Sequence, residues 1–328
     1  MHQTSATSEF ELIQRYFAGM TATRSDVSLG IGDDAALVRI PSHHQLAVSV
    51  DTLVSGVHFF PSVAPEHLAH KALAVNLSDL AAMGAEPAWA TLALTLPESN
   101  AVWLEAFAKG FAALAEQYGV QLIGGDTTRG PLSITVQVLG RVPDGQALRR
   151  AGARPHDHIY VTGELGDAAL CLNLLQSGGM KPPAFEHLQQ RLERPQPRVE
   201  AGLALRQVAS SAIDLSDGLL ADLGHILQAS GLGARIELER LPLSTGFSAW
   251  LADSGDWSPA LNGGDDYELC FTAERGREAE IQRIAGDLDL KISRIGTIDP
   301  SPGLLVVKAD GTPWTAARQG FDHFSGAE

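Results

Sequence analysis

Apolar and polar positions follow two periods along the chain, one typical of helices and one typical of strands. Helical spacing is clearest in residues 66–84, EHLAHKALAVNLSDLAAMG, and in residues 101–119, AVWLEAFAKGFAALAEQYG. Short apolar runs such as residues 45–51, QLAVSVD, and residues 158–163, HIYVTG, have strand character. Strands follow strands as often as they follow helices, so the pattern predicts an α+β fold with mixed sheets in both halves rather than a regular βαβ series.

The chain has 328 residues, which is too long for one small core and indicates two domains. The best candidate for a boundary is the polar, turn-rich segment 143–157, PDGQALRRAGARPHD. We therefore expect an N-terminal α/β domain over residues 1–143 and a C-terminal α/β domain over residues 144–328.

Charge and composition exclude several classes of protein. The chain carries 24 basic and 39 acidic residues, a net charge of −15, so a basic nucleic-acid-binding surface is not expected. No apolar run reaches the length of a membrane span, and the opening residues lack the pattern of a signal peptide. Cys171 and Cys270 are the only cysteines, which argues against a disulfide framework or a zinc ribbon. These observations predict a cytoplasmic protein that binds neither nucleic acid nor membranes.

Aspartate recurs at the ends of predicted strands, in glycine-rich or turn-forming sequence. The positions are Asp33, Asp34, Asp51, Asp126, Asp214, Asp217, Asp265 and Asp266. Asp79 differs, because it lies inside an apolar helical segment beside Asn76 and Ser78. A single Gly-Asp pair is most simply a turn, but so many together favour carboxylates that converge on bound cations. Oxygen ligands without a Cys or His pattern favour Mg²⁺, with Mn²⁺ or Ca²⁺ as the alternatives.

Bound magnesium would also let an acidic protein hold an anionic nucleotide. The sequence has no GxxxxGK[ST] motif and no HRD or DFG motif, which excludes a P-loop and a protein kinase. Candidate donors to phosphate are the backbone amides of Gly124 and Gly125, and the side chains of Thr127, Arg129, Arg149, Arg150 and Ser216.

Eight motifs spread from residue 30 to residue 324 carry a resemblance to a known family. In chain order they are GIGDDAAL, SVDTLVSGVHF, KALAVNLSDLAAMGAEPAW, LIGGDTTRGPL, YVTGELGDAA, AIDLSDGLLADLGHI, GGDDYELCFT and GFDHF. On these motifs the chain resembles the thiamine-monophosphate kinase family, in the superfamily of aminoimidazole ribonucleotide synthetase and selenophosphate synthetase. It lacks the N-terminal reactive cysteine of selenophosphate synthetases and the C-terminal cysteine of the hydrogenase-maturation relatives.

The resemblance implies a function and a set of site residues. The function is ATP-dependent phosphorylation of thiamine monophosphate to thiamine diphosphate, in a homodimer of two-domain chains that pair through their N-terminal domains. Positions that match magnesium ligands are Asp34, Ser49, Val50, Asp51, Asp79, Asp126, Asp214 and Asp217, with several ions expected. Positions that match nucleotide contacts are Gly125, Asp126, Arg150 and Ser216, and those that match substrate contacts are His58, Asp265 and Phe321.

One position departs from the family pattern. Members usually have GGEDYE where this chain has GGDDYE, so the carboxylate of Asp265 is one methylene closer to the backbone. The negative charge is kept, which suits the cationic thiazolium ring of thiamine.

The expected mechanism is direct in-line transfer, with Asp51, Asp79 and Asp126 nearest the chemistry. The acceptor phosphate is already anionic at neutral pH, so no general base is required. Two other classes of function fit a carboxylate cluster: a magnesium-dependent phosphohydrolase, with water as the acceptor, and a calcium-stabilised binding module. Dependence of nucleotide turnover on the acceptor distinguishes the three.

Overall fold

A computed structural model describes residues 9–178 and 182–314 of the chain. These residues form two compact units, one containing residues up to 80 together with 85–145, and the other containing 81–84 and residues from 146 onward. Within the described ranges, every helix is too short or too polar to cross a lipid bilayer.

The first unit begins with a short helical segment and a small hairpin, followed by alternating long strands and helices. Its elements are α1 (Glu9–Leu12), a π-helical turn (Ile13–Phe17), β1 (Val27–Leu29), β2 (Leu37–Val38), β3 (His44–Val54), α2 (Pro65–Ala82), β4 (Glu86–Leu96), α3 (Ala101–Gln117), β5 (Gln121–Arg129) and β6 (Ser133–Pro143).

Strands β3 to β6 form one sheet in the order β3-β6-β4-β5. β6 is antiparallel to both of its neighbours, whereas β4 and β5 are parallel, which confirms the prediction of a mixed sheet. The register aligns Asp51, Val136, Leu92 and Gly125 in one row across the four strands. β3 and β5 are the edges of this sheet, so Asp51 and Asp126 belong to opposite edges.

Alternation along the strands separates a buried face of this sheet from a more exposed one. On β6, Ile134, Val136 and Val138 are fully buried, while the residues between them are half-buried. The apolar faces of α2 and α3 supply further core residues, among them Leu77 and Phe107. The two helices approach closely at one point: a Cβ on Gly110 of α3 would lie 2.3 Å from the carbonyl oxygen of Glu66 on α2. Only glycine permits that contact.

The second unit contains the remaining strands and seven helices within the described residues. Its elements are β7 (His158–Thr162), α4 (Asp167–Ser177), α5 (Phe185–Glu193), α6 (Val199–Leu205), β8 (Ser211–Asp214), α7 (Leu219–Ser230), β9 (Gly233–Glu237), a 3-10 turn (Leu238–Arg240), α8 (Thr245–Ser254), α9 (Ser258–Asn262), β10 (Leu269–Ala273), α10 (Glu278–Asp287), β11 (Ile292–Asp299) and β12 (Gly303–Val307).

The six strands of this unit form a second mixed sheet, in the order β12-β9-β11-β7-β10-β8. All neighbours are antiparallel except β12 and β9, which are parallel. Strands β7 and β10 lie in the centre of the sheet and are buried along their whole length. One apolar cluster packs on the sheet and includes Leu170 of α4, Leu223 of α7 and Phe247 of α8.

The prediction that the aspartates lie at strand ends was wrong for several of them. Asp51 lies within β3, because β3 continues to pair with β6 as far as Val54. Asp126 lies within β5, which pairs with β4 as far as Arg129. The loop containing Asp265 and Asp266 follows helix α9 and precedes β10, so it does not follow a strand. Asp214, by contrast, is the last residue of β8 as predicted.

A buried carboxylate connects the sheet of the second unit to its helices. Glu268 is fully buried and accepts two hydrogen bonds of 2.6 Å from Arg198 and one of 2.6 Å from Arg191. Thr162 of β7 donates a further bond of 2.7 Å. Burial by itself raises the pKa of Glu268, but the bonds and charge of Arg198, helped by Arg191, outweigh it and lower that pKa below its usual value.

We predict that Glu268→Gln destabilises the protein by about 3–5 kcal/mol, because it leaves two largely buried guanidinium groups without a counter-charge. Urea denaturation followed by circular dichroism measures this change. Since the folded-state pKa is lowered, the contribution is fully present above the ordinary glutamate pKa and is lost as the pH falls through the folded-state value.

Glu274→Gln is the matched control, because Glu274 is exposed just after β10. This change is expected to alter stability by no more than about 0.5 kcal/mol. Equal urea midpoints for the two variants would contradict the proposed role of the Glu268 network.

Candidate active site

The hairpin β1–β2 carries the loop with Asp33 and Asp34, and a partly buried ion-pair network anchors the start of that hairpin. Asp26 accepts hydrogen bonds from Arg24 (2.8 and 3.0 Å), from Trp89 Nε1 (3.1 Å) and from Arg141 (3.2 Å). The bonds from Arg24 are the largest reason that the pKa of Asp26 is lowered, although burial opposes them. The loop therefore projects from a fixed base.

Within this loop the two acids have different environments. Asp33 Oδ1 accepts a hydrogen bond of 2.8 Å from the backbone N–H of Asp34. Asp34 itself is exposed. The side chain of Asp33 thus bonds within the loop, and the role of Asp34 as a metal ligand stays a prediction.

Helix α2 and strand β3 bring three of the predicted magnesium ligands together. Ser49 and Asp51 are two residues apart on β3, so their side chains share one face of the strand. The Ser49 hydroxyl donates a hydrogen bond to the Asp79 carboxylate of α2. Asn76, one turn earlier on α2, accepts a hydrogen bond of 3.0 Å from the backbone N–H of Asp51. Val50 points to the opposite, exposed face, so only its main-chain oxygen could serve a metal ion on this side.

The donor set at this point fits magnesium. Asp51, Asp79 and Ser49 offer only oxygen atoms, from two carboxylates and one hydroxyl, which is the set that hard divalent cations prefer. Asp79 is only half-buried in a helix whose neighbouring positions are fully buried, so its carboxylate is partly withdrawn from water. A cation would offset the cost of that burial.

Asp126 lies on β5, one residue beyond the row that contains Asp51, and is exposed. Gly125 before it has φ 155°, and a Cβ there would lie 1.9 Å from the carbonyl oxygen of Leu92. No other residue fits at that position, so the backbone that presents Asp126 depends on this glycine. Thr127, the next residue, is buried.

His58 follows β3 in a tight turn. Its Nδ1 accepts a hydrogen bond of 3.0 Å from the backbone N–H of Val54. The neutral ring must therefore carry its hydrogen on Nε2. In this tautomer His58 can donate a hydrogen bond from Nε2. Its Nδ1 already accepts the bond from Val54, so it is not placed to remove a proton from a substrate.

In the second unit, two loops form a joint carboxylate-bearing surface. The first follows Asp214, the last residue of β8, and contains Ser216 and Asp217. The second is segment 263–267. Backbone hydrogen bonds join them: the N–H of Asp265 donates to Ser216 (2.9 Å) and the N–H of Tyr267 donates to Leu215 (2.8 Å). Gly264 makes the contact possible, since a Cβ there would lie 2.2 Å from the Ser216 carbonyl oxygen.

A buried aspartate holds the first of these loops. Asp222 on α7 accepts hydrogen bonds from the backbone N–H groups of Asp217 (3.0 Å) and Gly218 (3.1 Å). Burial raises the pKa of Asp222 to about 7, and the nearby charge of Asp217 acts in the same direction. The backbone bonds act the other way and favour the carboxylate.

The second loop contains two non-glycine residues in left-handed conformation, Asp265 (φ 68°) and Tyr267 (φ 50°). The Tyr267 hydroxyl donates a hydrogen bond of 3.0 Å to Asp265 Oδ1. Between them, Asp266 is fully buried and accepts a bond of 2.9 Å from the N–H of Gly166. Burial raises the pKa of Asp266 well above its usual value, although the hydrogen bond from Gly166 acts in the opposite direction.

Two predicted site residues remain to be placed. Arg150 lies in a bend before β7 and is exposed. Phe321 lies outside the described residues.

A separate group of ionisable side chains in the second unit consists of Glu164, Asp167 and His187. Both oxygens of Asp167 have protein donors, Ser244 at 2.7 Å and His187 Nε2 at 3.2 Å. Burial raises the pKa of Asp167, and these two partners partly offset that effect. The group is accounted for as hydrogen bonding at the N-terminus of α4.

The comparison with protein families accounts for most of the chain. The model for the AIR synthase related protein N-terminal domain matches residues 32–142, and the model for the corresponding C-terminal domain matches residues 154–308. The thiamine-monophosphate kinase of Salmonella typhimurium is 51% identical over 322 residues, with 98% of this chain and 99% of the relative covered. The chain belongs to the thiamine-monophosphate kinase family. The relatives from Haemophilus influenzae and Bacillus subtilis are 45% and 36% identical, each over at least 96% of both chains.

Solved structures of the thiamine-monophosphate kinase family have the same architecture. The enzyme from Stenotrophomonas maltophilia K279a is 50% identical with a TM-score of 0.85, and covers 95% of this chain and 99% of its own. A structure described as AaThiL complexed with AMPPCP and TMP is 34% identical with a TM-score of 0.77, and covers 90% and 93% of the two chains. The hydrogenase maturation protein HypE of E. coli, 19% identical with a TM-score of 0.73, shares the fold.

Sequence patterns in this family member missed three residues that shape the site: Asn76, Asp222 and Tyr267. In the sequence Asn76 is only a polar neighbour of Asp79, and Asp222 looks like an ordinary acidic residue in the first turns of a helix. The spacing of Asp217 and Asp222 carries a signal in retrospect, because an acidic side chain near a helix N-terminus can accept bonds from the preceding loop. Tyr267 gives no comparable signal.

Proposed function

We propose that this chain transfers the γ-phosphoryl group of ATP to the phosphate of thiamine monophosphate, giving thiamine diphosphate and ADP. Membership of the thiamine-monophosphate kinase family over nearly the full chain supports the substrates. A structural relative 34% identical to it is described in complex with AMPPCP and TMP, an ATP analogue and the acceptor.

The observation that carries the proposal is the pairing of Asp79 with Ser49 beside Asp51. Asp79 is a carboxylate in an otherwise apolar helix. A hydroxyl and an amide connect this helix to the strand that carries Asp51, and a pair of carboxylates held in this way is suited to a divalent cation. Magnesium bound there would neutralise phosphate charge as two anions approach each other. This resolves the conflict between a net charge of −15 and two anionic substrates.

The reaction requires positioning more than proton transfer. A phosphate oxygen of thiamine monophosphate forms a bond to the γ-phosphorus of ATP, while the bond from that phosphorus to the β,γ-bridging oxygen breaks and ADP leaves with its electron pair. The acceptor oxygen is already anionic, so no side chain has to remove a proton. The Nδ1-bonded His58 is consistent with this assignment, since its role is to donate from Nε2.

Further residue roles follow from the match to the family motifs. Gly125, Asp126, Arg150 and Ser216 are proposed to contact ATP. His58, Asp265 and Phe321 are proposed to face thiamine monophosphate. Asp34, Val50, Asp126, Asp214 and Asp217 are proposed to join Ser49, Asp51 and Asp79 as ligands of several magnesium ions. In this scheme residues 1–143 bind metal ions and the nucleotide phosphates, and residues 144–328 bind nucleotide and substrate.

Acceptor dependence tests the proposed reaction. Purified protein with ATP and Mg²⁺ should release ADP in amounts that match the thiamine diphosphate formed, and leaving out thiamine monophosphate should nearly abolish ADP release. Chromatography of both products measures this. ADP release that ignores the acceptor would indicate a phosphohydrolase, and metal-dependent melting without any turnover would indicate a calcium-stabilised binding module.

Asp79→Asn tests the metal assignment. We predict that kcat/KM falls at least about 100-fold, because losing a residue that only orients a metal ligand typically costs 10–100-fold and losing a direct ligand costs more. In EDTA the melting temperature should stay the same or rise, since a partly buried charge next to Asp51 is removed. Steady-state kinetics and thermal melting with and without Mg²⁺ measure the two effects.

The matched control is Asp253→Asn, which makes the same change at an exposed position of helix α8. Its kinetics and its melting curves should equal those of the wild type. Wild-type kinetics in Asp79→Asn would eliminate Asp79 as a ligand.

We also propose that two copies of the chain pair through their N-terminal domains and that the protein is cytoplasmic. Support for pairing comes from the exposed face of edge strand β3, where Leu46, Val48 and Val50 are 37%, 51% and 56% exposed. A row of apolar side chains along an open sheet edge is unfavourable in water unless another surface covers it. Two buried free thiols, Cys171 and Cys270, suit a reducing compartment.

Val48→Lys tests the pairing. A lysine in the middle of this apolar row should prevent association, so light scattering after size exclusion should change from about twice the chain mass of 34.8 kDa to one chain mass. Val102→Lys is the control, because Val102 is 79% exposed on α3, away from β3. A monomeric wild type, or a dimeric Val48→Lys, would contradict the proposed interface.

A further inference from the structure

Asn76 is a polar side chain at a fully buried position of helix α2. A buried amide is costly unless its groups are hydrogen-bonded. Both ends of this one are used: Nδ2 donates 3.0 Å to the carbonyl oxygen of Ala72, and Oδ1 accepts 3.0 Å from the backbone N–H of Asp51. The residue thus bonds to its own helix with one end and to strand β3 with the other.

The two partners determine which end of the amide faces the strand. A carbonyl on one side and an N–H on the other are compatible with a single orientation, with the oxygen toward Asp51. Alanine has no acceptor to replace this oxygen, and the hydroxyl of serine is carried on a shorter side chain. The contact is therefore specific to the side chain at position 76.

Strand β3 needs such a partner at Asp51. β3 is an edge strand, with a neighbour in the sheet on one side only. In an antiparallel edge strand alternate N–H groups have no partner in the sheet. The Asp51 N–H obtains its acceptor from helix α2, which fixes the main chain at the residue that carries the carboxylate.

A second contact lies next to the first. Asn76 and Asp79 are three residues apart on α2 and so lie on one face of the helix, while Ser49 and Asp51 lie on one face of β3. The Ser49 hydroxyl bonds to the Asp79 carboxylate, and Asn76 bonds to the Asp51 main chain. These two links fix the helix and the strand relative to each other on either side of the two carboxylates.

We infer that Asn76 is a positioning residue, which holds the Asp51 main chain against α2 so that the carboxylates of Asp51 and Asp79 serve one cation site. This inference rests on the proposed metal role of those two aspartates. Asn76 acts through Asp51 and does not itself bind the ion.

The test measures cation binding directly, with Mn²⁺ as the probe and the full chain without nucleotide. Mn²⁺ titrations followed by electron paramagnetic resonance give the Kd. In Asn76→Ala the Kd should rise about 10–100-fold, the usual cost of losing a residue that orients a metal ligand. In kinase assays the Mg²⁺ concentration for half-maximal rate should rise similarly, while saturating Mg²⁺ restores most of kcat. Should Asn76→Ala not fold, Asn76→Ser removes the same contact and has the same expected results.

Leu77→Ala is the matched control, because Leu77 is the next residue of α2 and is fully buried. The cavity it leaves should lower the melting temperature at least as much as the loss of one buried hydrogen bond does. A merely structural role for Asn76 predicts that both variants weaken Mn²⁺ binding alike. The positioning role predicts that the Kd of Leu77→Ala stays within about twofold of the wild type, well inside one order of magnitude.

Asp79→Asn separates failure of this inference from failure of the proposed metal site. If Asp79→Asn loses Mn²⁺ binding but Asn76→Ala keeps the wild-type Kd, the positioning role is wrong and the metal site stands. If Asp79→Asn itself binds Mn²⁺ as the wild type does, the metal assignment fails and the inference fails with it.

Discussion

A carboxylate on the inner side of an apolar helix is the constraint around which the first unit is organised. Asp79 shares helix α2 with fully buried neighbours, and the opposing strand presents Asp51 on the same side. Two carboxylates on facing elements repel each other when both are ionised. The hydroxyl of Ser49 and the amide of Asn76 nevertheless hold the two acidic residues in place. A cation bound between the two carboxylates would offset this repulsion and would in turn make phosphate a favourable neighbour.

The second unit solves a similar problem with backbone geometry. Its acidic loops are joined by main-chain bonds at Ser216 and Asp265, and Gly264 allows them to approach closely. The Asp222 carboxylate accepts hydrogen bonds from the backbone N–H groups of Asp217 and Gly218 and so fixes the first loop. Side chains fix a helix against a strand in the first unit, whereas in the second they fix one loop. Both arrangements restrict the positions that the carboxylates can take.

The sequence was sufficient to predict the mixed sheets, most helices and the carboxylates, because period and composition are local properties. It was wrong about Asp51 and Asp126, which lie inside strands. The length of a strand depends on the strand it pairs with. Val136, the β6 residue that pairs with Asp51, is more than 80 residues away along the sequence. It also missed the bonds from Arg191 and Arg198 to Glu268, at sequence separations of 77 and 70 residues. Long-range pairing of this kind leaves no periodic signal, and the same is true of the contact between Asn76 and Asp51.

The aspartate that replaces the usual glutamate of the family motif has a local explanation. Asp265 has φ 68°, a left-handed conformation that aspartate adopts more readily than glutamate, because its short side chain can hydrogen-bond nearby. Tyr267, also left-handed, donates a bond of 3.0 Å to its Oδ1 and limits the directions in which the carboxylate can point. The shorter side chain thus loses reach and gains a defined orientation. In the proposed contact with the cationic thiazolium ring the negative charge is kept, and the attraction between a carboxylate and a cation falls slowly with distance, so the missing methylene should weaken that contact little.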